Sequence, residues 1–334
     1  MKKMNLANVS RGKFALGLLV ATLGLTMAAG PGEVSAAYPT KPIRMLVGFR
    51  AGGATDLLGR LVAKGLEKEL GVPVVVTNKG GAGGALAYNE VRRARPDGYT
   101  LGWVTGSLFT TTNIGNVKWD YKALDSVARI AQWPMVVGTR AKAPWKSWKE
   151  FLADAKRNPG KYKFGHAGTG SIGHLMNVAV SSGVKVIMAP VGVRGRFSAL
   201  LGAKIDLLSA PAAGFVKFSK AGKMRALVVG SAKRVRLLSK APTAKEIGID
   251  FQVDLMYGVF APPGTSGGVK GKLRAALTKV VANYKPIHKF AKTKKMNLEY
   301  LDGTGLDRWL GEQNATVVRI MKKVGLYKSR MKKN

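Results

Sequence analysis

The sequence predicts an α/β fold of two domains, each a mostly parallel sheet flanked by helices, with two crossing strands as a hinge. Short apolar runs alternate along the chain with amphipathic stretches of helical period, which is the pattern of β-α-β units. We place one crossing near residue 140, and a late apolar run at residues 253–260 returns the chain to the first domain. We therefore expect residues 38–139 and 258–334 to form the first domain and residues 140–257 to form the second.

Local signals fix the ends of several elements. Gly71 stops a helix, and two capping boxes, Ser147 with Glu150 and Thr243 with Glu246, each open one. The predicted strands are 43–47, 72–76, 99–104, 135–139, 162–165, 184–188, 204–208, 224–229 and 253–260. The predicted helices include 56–70, 85–95, 172–181, 269–284 and 306–324.

A glycine loop at residues 48–56, which we call the first glycine loop, joins the first strand to the first helix. Such a loop leaves the first N–H groups of the helix unpaired and facing whatever lies in front of them. The helix dipole makes that position favourable for a carboxylate or a phosphate. The loop sequence is Gly48-Phe49-Arg50-Ala51-Gly52-Gly53-Ala54-Thr55-Asp56.

A second glycine loop of the same kind occupies residues 165–171, again between a predicted strand and a predicted helix. Its sequence is Gly165-His166-Ala167-Gly168-Thr169-Gly170-Ser171. We expect the two loops to face each other and to hold an anion between them. In open α/β sheets the ligand lies beyond the carboxyl ends of the strands, where both the first glycine loop and Ser107 are predicted to lie.

The first 37 residues have the pattern of a cleavable signal peptide. A basic start is followed by an apolar run at residues 14–29, shorter than a membrane span, and then by small residues that include Ala36 and Ala37. We expect cleavage after one of these alanines and a soluble mature protein in the periplasm. The alternative is an uncleaved amphipathic anchor.

The chain carries 55 Lys and Arg against 18 Asp and Glu, which gives a formal net charge of +37. Such a charge can bind nucleic acid, attach to acidic surfaces or steer anions to a site. The basic residues are spread over the whole sequence without a recognition motif, so nucleic acid is not an expected partner. With no cysteine and three scattered histidines, we expect neither a metal site nor a cofactor.

Two enzymatic interpretations compete with simple anion binding. The run from Gly168 to Gly173 matches G-x-G-x-x-G, the pattern of a dinucleotide site. No acidic residue lies about 20 positions further on to hold a ribose, although Arg194 and Arg196 leave an NADP site open. Ser171 and His174 are spaced to touch at a helix start, but a nucleophile needs a base oriented by a third group. We prefer a capping serine with a histidine in the cleft.

A series of short blocks runs in order through essentially the whole chain after residue 37. The blocks are Tyr38-Pro39-Thr40-Lys41-Pro42-Ile43-Arg44, Phe49 to Asp56, Asn78 to Gly84, Pro96-Asp97-Gly98-Tyr99-Thr100-Leu101, Asn158-Pro159-Gly160-Lys161, Ala167-Gly168-Thr169-Gly170-Ser171 with His174-Leu175, Leu200-Leu201-Gly202 with Asp206, Ala221 to Leu227, Pro242-Thr243, and Ala261-Pro262-Pro263-Gly264-Thr265. Together they resemble the Bug (TctC-like) family of periplasmic solute receptors, which serve tripartite tricarboxylate transporters.

The resemblance implies a two-domain periplasmic binding protein of the Venus-flytrap type, a monomer without enzymatic activity. It implies that the protein closes over a small organic acid and delivers it to the membrane permease subunits. In relatives the two matching loops hold one carboxylate through backbone N–H groups and bridging waters. The residues to which this role carries over are Phe49, Ala51, Gly52, Gly53, Thr55, Asp56, Gly168, Thr169, Gly170 and Ser171. Ser107 and His174 are expected to line the cleft.

The chain departs from the family pattern at several positions. Gly48 and Arg50 stand where prolines usually flank the phenylalanine, and a usual His-Val-Pro-Tyr-Lys-Gly segment is replaced at residues 188–193. Ala210 stands near the place of a usual second aspartate. The changes in the second domain concern the distal half of the ligand more than the carboxylate clamp.

Two roles and three functions stay open on the sequence alone. Asp56 either contacts a ligand or stabilises its own helix start, and Arg50 either pairs with the anion or is solvated. The first functional hypothesis is a carboxylate receptor that opens and closes. The second is an exported α/β enzyme, either a hydrolase or an NADP-dependent oxidoreductase. The third is a polyanion binder, whose affinity would fall steeply with salt.

Overall fold

The computed structural model describes residues 38–252 and 254–328, so the signal peptide expected at residues 1–37 lies outside the described part. The strands are β1 (Ile43–Val47), β2 (Val74–Asn78), β3 (Thr100–Thr105), β4 (Asp125–Trp133), β5 (Met135–Arg140), β6 (Lys163–His166), β7 (Ile187–Pro190), β8 (Leu207–Pro211), β9 (Met224–Val229), β10 (Leu255–Ala261) and β11 (Asn297–Asp302). The α-helices are α1 (Ala54–Leu70), α2 (Ala85–Arg93), α3 (Ser107–Asn113), α4 (Trp148–Arg157), α5 (Ile172–Val180), α6 (Arg196–Leu201), α7 (Ala212–Lys220), α8 (Gly267–Asn283), α9 (Lys285–Lys294) and α10 (Gly303–Lys323).

The strands form two sheets, which we call the first and the second sheet. The first has the order β11-β4-β10-β3-β1-β2, and the second has the order β7-β6-β8-β5-β9. Helices pack on both: α1, α2, α8 and α10 contact strands of the first sheet, and α5, α6 and α7 contact strands of the second. The predicted α/β fold of two helix-flanked sheets is confirmed.

Each sheet is mixed rather than mostly parallel, which corrects one part of the expectation. In the first sheet β1 pairs in parallel with β2 and β3, whereas β10 runs antiparallel to both β3 and β4. In the second sheet β6 pairs in parallel with β7 and β8, whereas β5 runs antiparallel to β8 and β9. The antiparallel pairs involve the strands next to the crossings, because a chain that enters from the other sheet arrives from the opposite end.

The chain passes between the sheets at Pro134. Strand β4 ends at Trp133 in the first sheet and β5 begins at Met135 in the second, since Pro134 has no N–H with which to continue a ladder. The return occurs between β9 and β10. The expected domain boundaries at 139/140 and 257/258 therefore fall inside β5 and β10, and the strand at 135–139 belongs to the second sheet rather than the first.

Local capping chemistry explains several element boundaries. The Ser147 hydroxyl accepts a hydrogen bond from the N–H of Glu150 at 3.2 Å and starts α4. Thr243 and Glu246 exchange two hydrogen bonds, of 2.8 and 3.1 Å, at the start of a short 3₁₀ turn. Both predicted capping boxes are present. Gly71 ends α1 with φ of 73°, a conformation that favours glycine.

Two strands and one helix near the site were not expected from the sequence: β4, β11 and α3. Strand β4 is buried over its last seven residues and so lacks the alternation that marks a half-exposed strand. Helix α3 contains three consecutive threonines, which disfavour helix formation. Within residues 38–252 and 254–328, no helix combines the length and apolar character that a membrane span requires.

Candidate functional site

The first glycine loop ends in a helix start that has no side-chain cap. Gly53 is the N-cap residue of α1, and the first bond of the helix runs from the N–H of Leu57 to the carbonyl of Gly53 at 2.9 Å. Helix geometry therefore leaves the N–H groups of Ala54, Thr55 and Asp56 without a partner inside the helix. Together with the helix dipole they form a site suited to an anion.

Asp56 stabilises this loop through hydrogen bonds to its buried carboxylate. Its carboxylate is 1% exposed and accepts hydrogen bonds from the N–H of Gly52 at 2.9 Å and from Asn78 Nδ2 at 2.8 Å. Arg60 Nε donates to both carboxylate oxygens, at 3.0 and 3.1 Å. Burial alone would raise the pKa of Asp56, but the hydrogen bonds from Arg60, Asn78 and Gly52 and the charge of Arg60 bring the pKa below its usual value.

Asn78, at the end of β2, connects this network to the loop backbone. Its Nδ2 also donates to the carbonyl of Phe49 at 2.9 Å, and its Oδ1 accepts from Arg60 Nη2 at 2.8 Å. The geometry favours the second of the two roles left open for Asp56, since its oxygens are engaged by Gly52, Arg60 and Asn78. The sequence analysis noted Asn78 only as part of a family block. Its position at the end of a strand that neighbours β1 was the signal that could have indicated a role at the site.

The second glycine loop is held by two stacked histidines. The N–H of Gly168 donates to His166 Nδ1 at 3.2 Å, and the N–H of Gly170 donates to His174 Nδ1 at 3.1 Å. The two imidazole rings stack with their centroids 4.4 Å apart and an angle of 24° between their planes. The sequence analysis did not predict a role for His166, because it lies on β6 and meets His174 only through the fold.

Both imidazoles are neutral in this arrangement, because each Nδ1 accepts a hydrogen bond and cannot carry a proton. Burial lowers the pKa of His166. Burial, together with repulsion from His166 in its protonated form, lowers the pKa of His174 to about 4. The amides of Gly168 and Gly170 are thus used inside the loop. The amides that helix geometry leaves free at the start of α5 are those of Ile172 and Gly173, since the Ser171 hydroxyl accepts from the N–H of His174 at 3.2 Å.

This geometry bears on the catalytic serine–histidine pair that the sequence left as the less favoured alternative. Ser171 is the N-cap of α5, and its hydroxyl contacts the backbone N–H of His174. The ring nitrogen Nδ1 of His174 accepts a hydrogen bond from the N–H of Gly170.

Among the described residues, no group of acids and histidines is placed to hold a metal ion.

The end of β3 brings a third loop to the same region. The Ser107 hydroxyl accepts from Thr105 Oγ1 at 2.9 Å and lies 2.9 Å from the hydroxyl of Tyr88. A Cβ placed on Gly106 would lie 3.7 Å from Ile172 Cγ1, and one on Gly170 would lie 3.5 Å from Ile114 Cδ1. The start of α5 therefore lies against both ends of α3. Helix α5 follows β6 of the second sheet, and α3 follows β3 of the first sheet.

Two buried aromatic residues support Thr55 from the first sheet. Trp103 Nε1 donates to the carbonyl of Thr55 at 2.9 Å. Burial raises the pKa of Tyr257, and the Thr55 side chain acts in the opposite direction. The rings of Trp103 and Tyr257 stack with centroids 6.0 Å apart. Tyr257 was not predicted from the sequence, which offered no signal for it beyond its place in an apolar strand. The remaining predicted residues, Ala51 and Thr169, are exposed on the two loops.

The chain belongs to the family described as the tripartite tricarboxylate transporter family receptor, TctC, whose model matches residues 58–326. A similar relative is the UPF0065 protein in the gbd 5' region of Cupriavidus necator, 32% identical over 322 residues, which cover 94% of this chain and 97% of the relative. Protein BugT of Bordetella pertussis is 32% identical over 269 residues, 77% of this chain and 80% of that protein. The predicted resemblance to the Bug family is confirmed.

Solved structures share the fold of this chain. A TctC solute-binding protein from Polaromonas is 32% identical, with a TM-score of 0.77 over 86% of this chain and 99% of that one. MatC from Rhodopseudomonas palustris with bound malate is 25% identical, with a TM-score of 0.68 over 85% and 99%. A protein from R. palustris with adipate is 25% identical, with a TM-score of 0.70 over 86% and 98%. The chain is thus a solute-binding receptor of this family and not an enzyme.

Proposed function

We propose that this protein is an extracytoplasmic receptor that binds a small carboxylate between its two glycine loops and delivers it to a tripartite tricarboxylate-type permease. The observation that carries the proposal is the uncapped start of α1 above a fully bonded Asp56. Helix geometry leaves three amides free at this one helix start, and the loop in front of them is held by the hydrogen bonds of the buried Asp56. Such a site suits an anion, because the free main-chain amides are donors and the helix dipole favours negative charge there.

The family supports the choice of a carboxylate over other anions. Two relatives of the same fold, MatC and the adipate-containing protein from R. palustris, hold carboxylates. Each helix start favours an anion by about 0.3–1 kcal/mol when exposed and by up to about 2 kcal/mol when partly buried. The receptor needs the second loop to close against the first, since one helix start alone provides only a weak site.

The same proposal includes a motion and a location. We propose that the two sheets form the two domains and that Pro134 and residues 230–254 act as the hinge between them. A ligand that touches both domains shifts the balance from open to closed by its differential contact with the two states. The signal peptide predicted at residues 1–37 would place the receptor in the periplasm, where its permease partner can collect it.

A thermal-shift screen tests the proposal. The mature protein is heated with small mono- and dicarboxylic acids, among them malate and adipate, and with the matching amides, at low and high salt. An acid at 100 times its dissociation constant adds about 2.7 kcal/mol to the stability, a rise on the order of 5 °C for a chain of this size.

A rise with an acid but not with its amide, retained at high salt, is the expected result. A rise that disappears with salt and appears equally with heparin would contradict the proposal and favour a polyanion surface. Chemical conversion of the ligand during incubation would contradict the proposal and favour the enzyme hypothesis.

A further inference from the structure

Two buried histidines hold the second glycine loop by accepting hydrogen bonds from its backbone. His166 is 1% exposed and accepts the N–H of Gly168 at 3.2 Å. His174, in the first turn of α5, is 7% exposed and accepts the N–H of Gly170 at 3.1 Å. Each bond needs a lone pair on Nδ1, which only the neutral imidazole has. The conformation of the loop therefore depends on the protonation state of both rings.

The charged and titratable side chains around His174 are all basic. Helix α5 packs against β6, β8 and α10. His166 of β6 stacks on His174, β8 has no charged residue, and Lys323 at the end of α10 lines the same crevice as His174. Lys185, just before β7, also lines that crevice. No carboxylate in the described part of the chain forms an ion pair with either histidine. These surroundings keep the His174 ring neutral when no ligand is bound.

The ring of His174 lies beside the amides that we expect to meet the ligand. Its Nδ1 is bonded to Gly170, one residue before the N-cap Ser171, and its main-chain N–H donates to the Ser171 hydroxyl at 3.2 Å. The free amides of this helix start belong to Ile172 and Gly173, directly before His174. A carboxylate at these amides lies within one helical turn, ~5 Å, of residue 174.

A negative charge at that position changes what the ring can do. An opposite charge within about 4–6 Å favours the charged form of a titratable group. Protonation converts Nδ1 from an acceptor into a donor, so the N–H of Gly170 loses its acceptor. Gly170 has φ of 77°, which glycine adopts at low cost, and its peptide can therefore turn without strain from a side chain. One added proton thus provides the anion with two donors, Nδ1–H and the Gly170 amide.

We propose that binding of a carboxylate at the second glycine loop is coupled to the uptake of one proton by His174. The inference rests on the proposed function, since it takes the acid to lie between the two loops. His174 is then a positioning residue, which holds the Gly170 amide while the site is empty and releases it to the ligand. Because the complex holds the proton more tightly than the free protein, a decrease in pH favours binding.

The test measures affinity and proton uptake together. Malate and adipate are titrated calorimetrically into the wild type, His174→Asn and His288→Asn at about pH 7 and about pH 5, in Bis-Tris and in imidazole. The heat of binding depends on the ionisation enthalpy of the buffer in proportion to the protons taken up. His288 is the matched control, because it is the third histidine of the chain and is exposed on α9. The titration of the acids and of Asp254 is common to all three proteins and cancels in the comparison.

We expect the wild type to take up a fraction of a proton at about pH 5 that His174→Asn does not take up. The affinity of the wild type relative to His174→Asn should increase by about 2- to 10-fold between about pH 7 and about pH 5, since a nearby charge changes a pKa by about 1–3. His288→Asn should behave as the wild type does. Thermal midpoints without ligand report folding.

A second measurement needs no stable variant of His174. With three histidines in the chain, NMR titration of the imidazole resonances of the wild type, with and without the acid, should show one buried ring whose pKa is raised by the ligand. An acid that binds without raising the pKa of any buried ring would overturn the inference.

The inference and the proposed function fail in distinguishable ways. If an acid binds but the wild type and His174→Asn show the same proton uptake and the same pH dependence, the coupling is wrong and the receptor function stands. Loss of the uptake in His288→Asn would assign it to another residue and also overturn the inference. If no acid binds the wild type, the proposed function fails and the inference fails with it.

Discussion

Asp254 offers the prediction whose size follows most directly from the structure. It precedes β10 at the second crossing and is 8% exposed, and the backbone N–H of Met135, at the first crossing, is close enough to lower its pKa. Its Oδ1 has no partner among the described residues. The side chain thus lies close to both segments that we propose as the hinge.

Burial and the negative charge of Glu299 raise the pKa of Asp254 from 3.8 to about 7, against the lowering effects of Met135 and Arg129. Between these two pH values the folded protein keeps a proton that the unfolded chain has lost. The free energy of unfolding therefore falls as the pH rises through this window and levels off above it. Three pKa units correspond to on the order of 4 kcal/mol.

We predict that Asp254→Asn removes this loss. Urea unfolding of the wild type and the variant is measured at several pH values between about 4 and 8, and the difference in the free energy of unfolding is plotted. The stability of the variant relative to the wild type should increase by on the order of 4 kcal/mol across that range.

The difference between the two proteins is the quantity to examine, because His174 acts in the opposite direction. Burial lowers the pKa of His174 to about 4, so its contribution to stability falls as the pH decreases from about 6.5 to about 4. The wild-type curve alone can hide both effects. Asp250→Asn serves as the control, since the side chain of Asp250 is 81% exposed. A difference for Asp254→Asn that does not change with pH would refute the reasoning.

Two further predictions concern the loops. Asn78→Ala should lower the free energy of unfolding by about 1–3 kcal/mol and weaken acid binding, because the carbonyl of Phe49 and the carboxylate of Asp56 lose a donor; the exposed Asn116→Ala should stay within about 0.5 kcal/mol, and equal effects in urea unfolding would argue against the network. His174→Asn keeps an acceptor near the position of Nδ1 and should lose less stability than the wild type between about pH 6.5 and 4.5. Equal losses in urea midpoints would show that His174 does not titrate as described.

The sequence was sufficient for the β-α-β order and for the first glycine loop, because both depend on local signals. Strand β1 and the start of α1 follow from an apolar run, a glycine turn and an amphipathic helix. Strand β4 was not predictable in this way, since Arg129 and Gln132 interrupt its apolar run and are buried only because the fold surrounds them. Helix α3 depends on packing and on bonds from Thr112 Oγ1 back to the carbonyls of Leu108 and Phe109.

For the candidate site, the sequence indicated the two glycine loops that we propose to form it, but not the contacts within them. The bond between Asp56 and Arg60 follows from their spacing of four residues on one helix. The stacking of His166 on His174 joins residues from different elements and requires the tertiary structure. The family resemblance located the loops but not which of their amides are already engaged by His166 and His174.

The central claim is that main-chain amides at the start of α1 hold the carboxylate, and one pair of variants tests it directly. Gly53 has φ of −76° and ψ of 163°, which any residue adopts, and the nearest atom to an added Cβ is 3.7 Å away. Both Gly53→Asp and Gly53→Ala should therefore fold. Aspartate brings a carboxylate of the chain to the position of the ligand's carboxylate, and it is also a favourable N-cap.

The measurement is calorimetric titration of both variants with the acid that stabilises the wild type most. We predict that Gly53→Asp loses measurable binding while its unfolding midpoint stays at or above that of Gly53→Ala, and that Gly53→Ala binds within a few-fold of the wild type. Wild-type affinity in Gly53→Asp would contradict the account, because a carboxylate at the start of α1 would then not compete with the ligand.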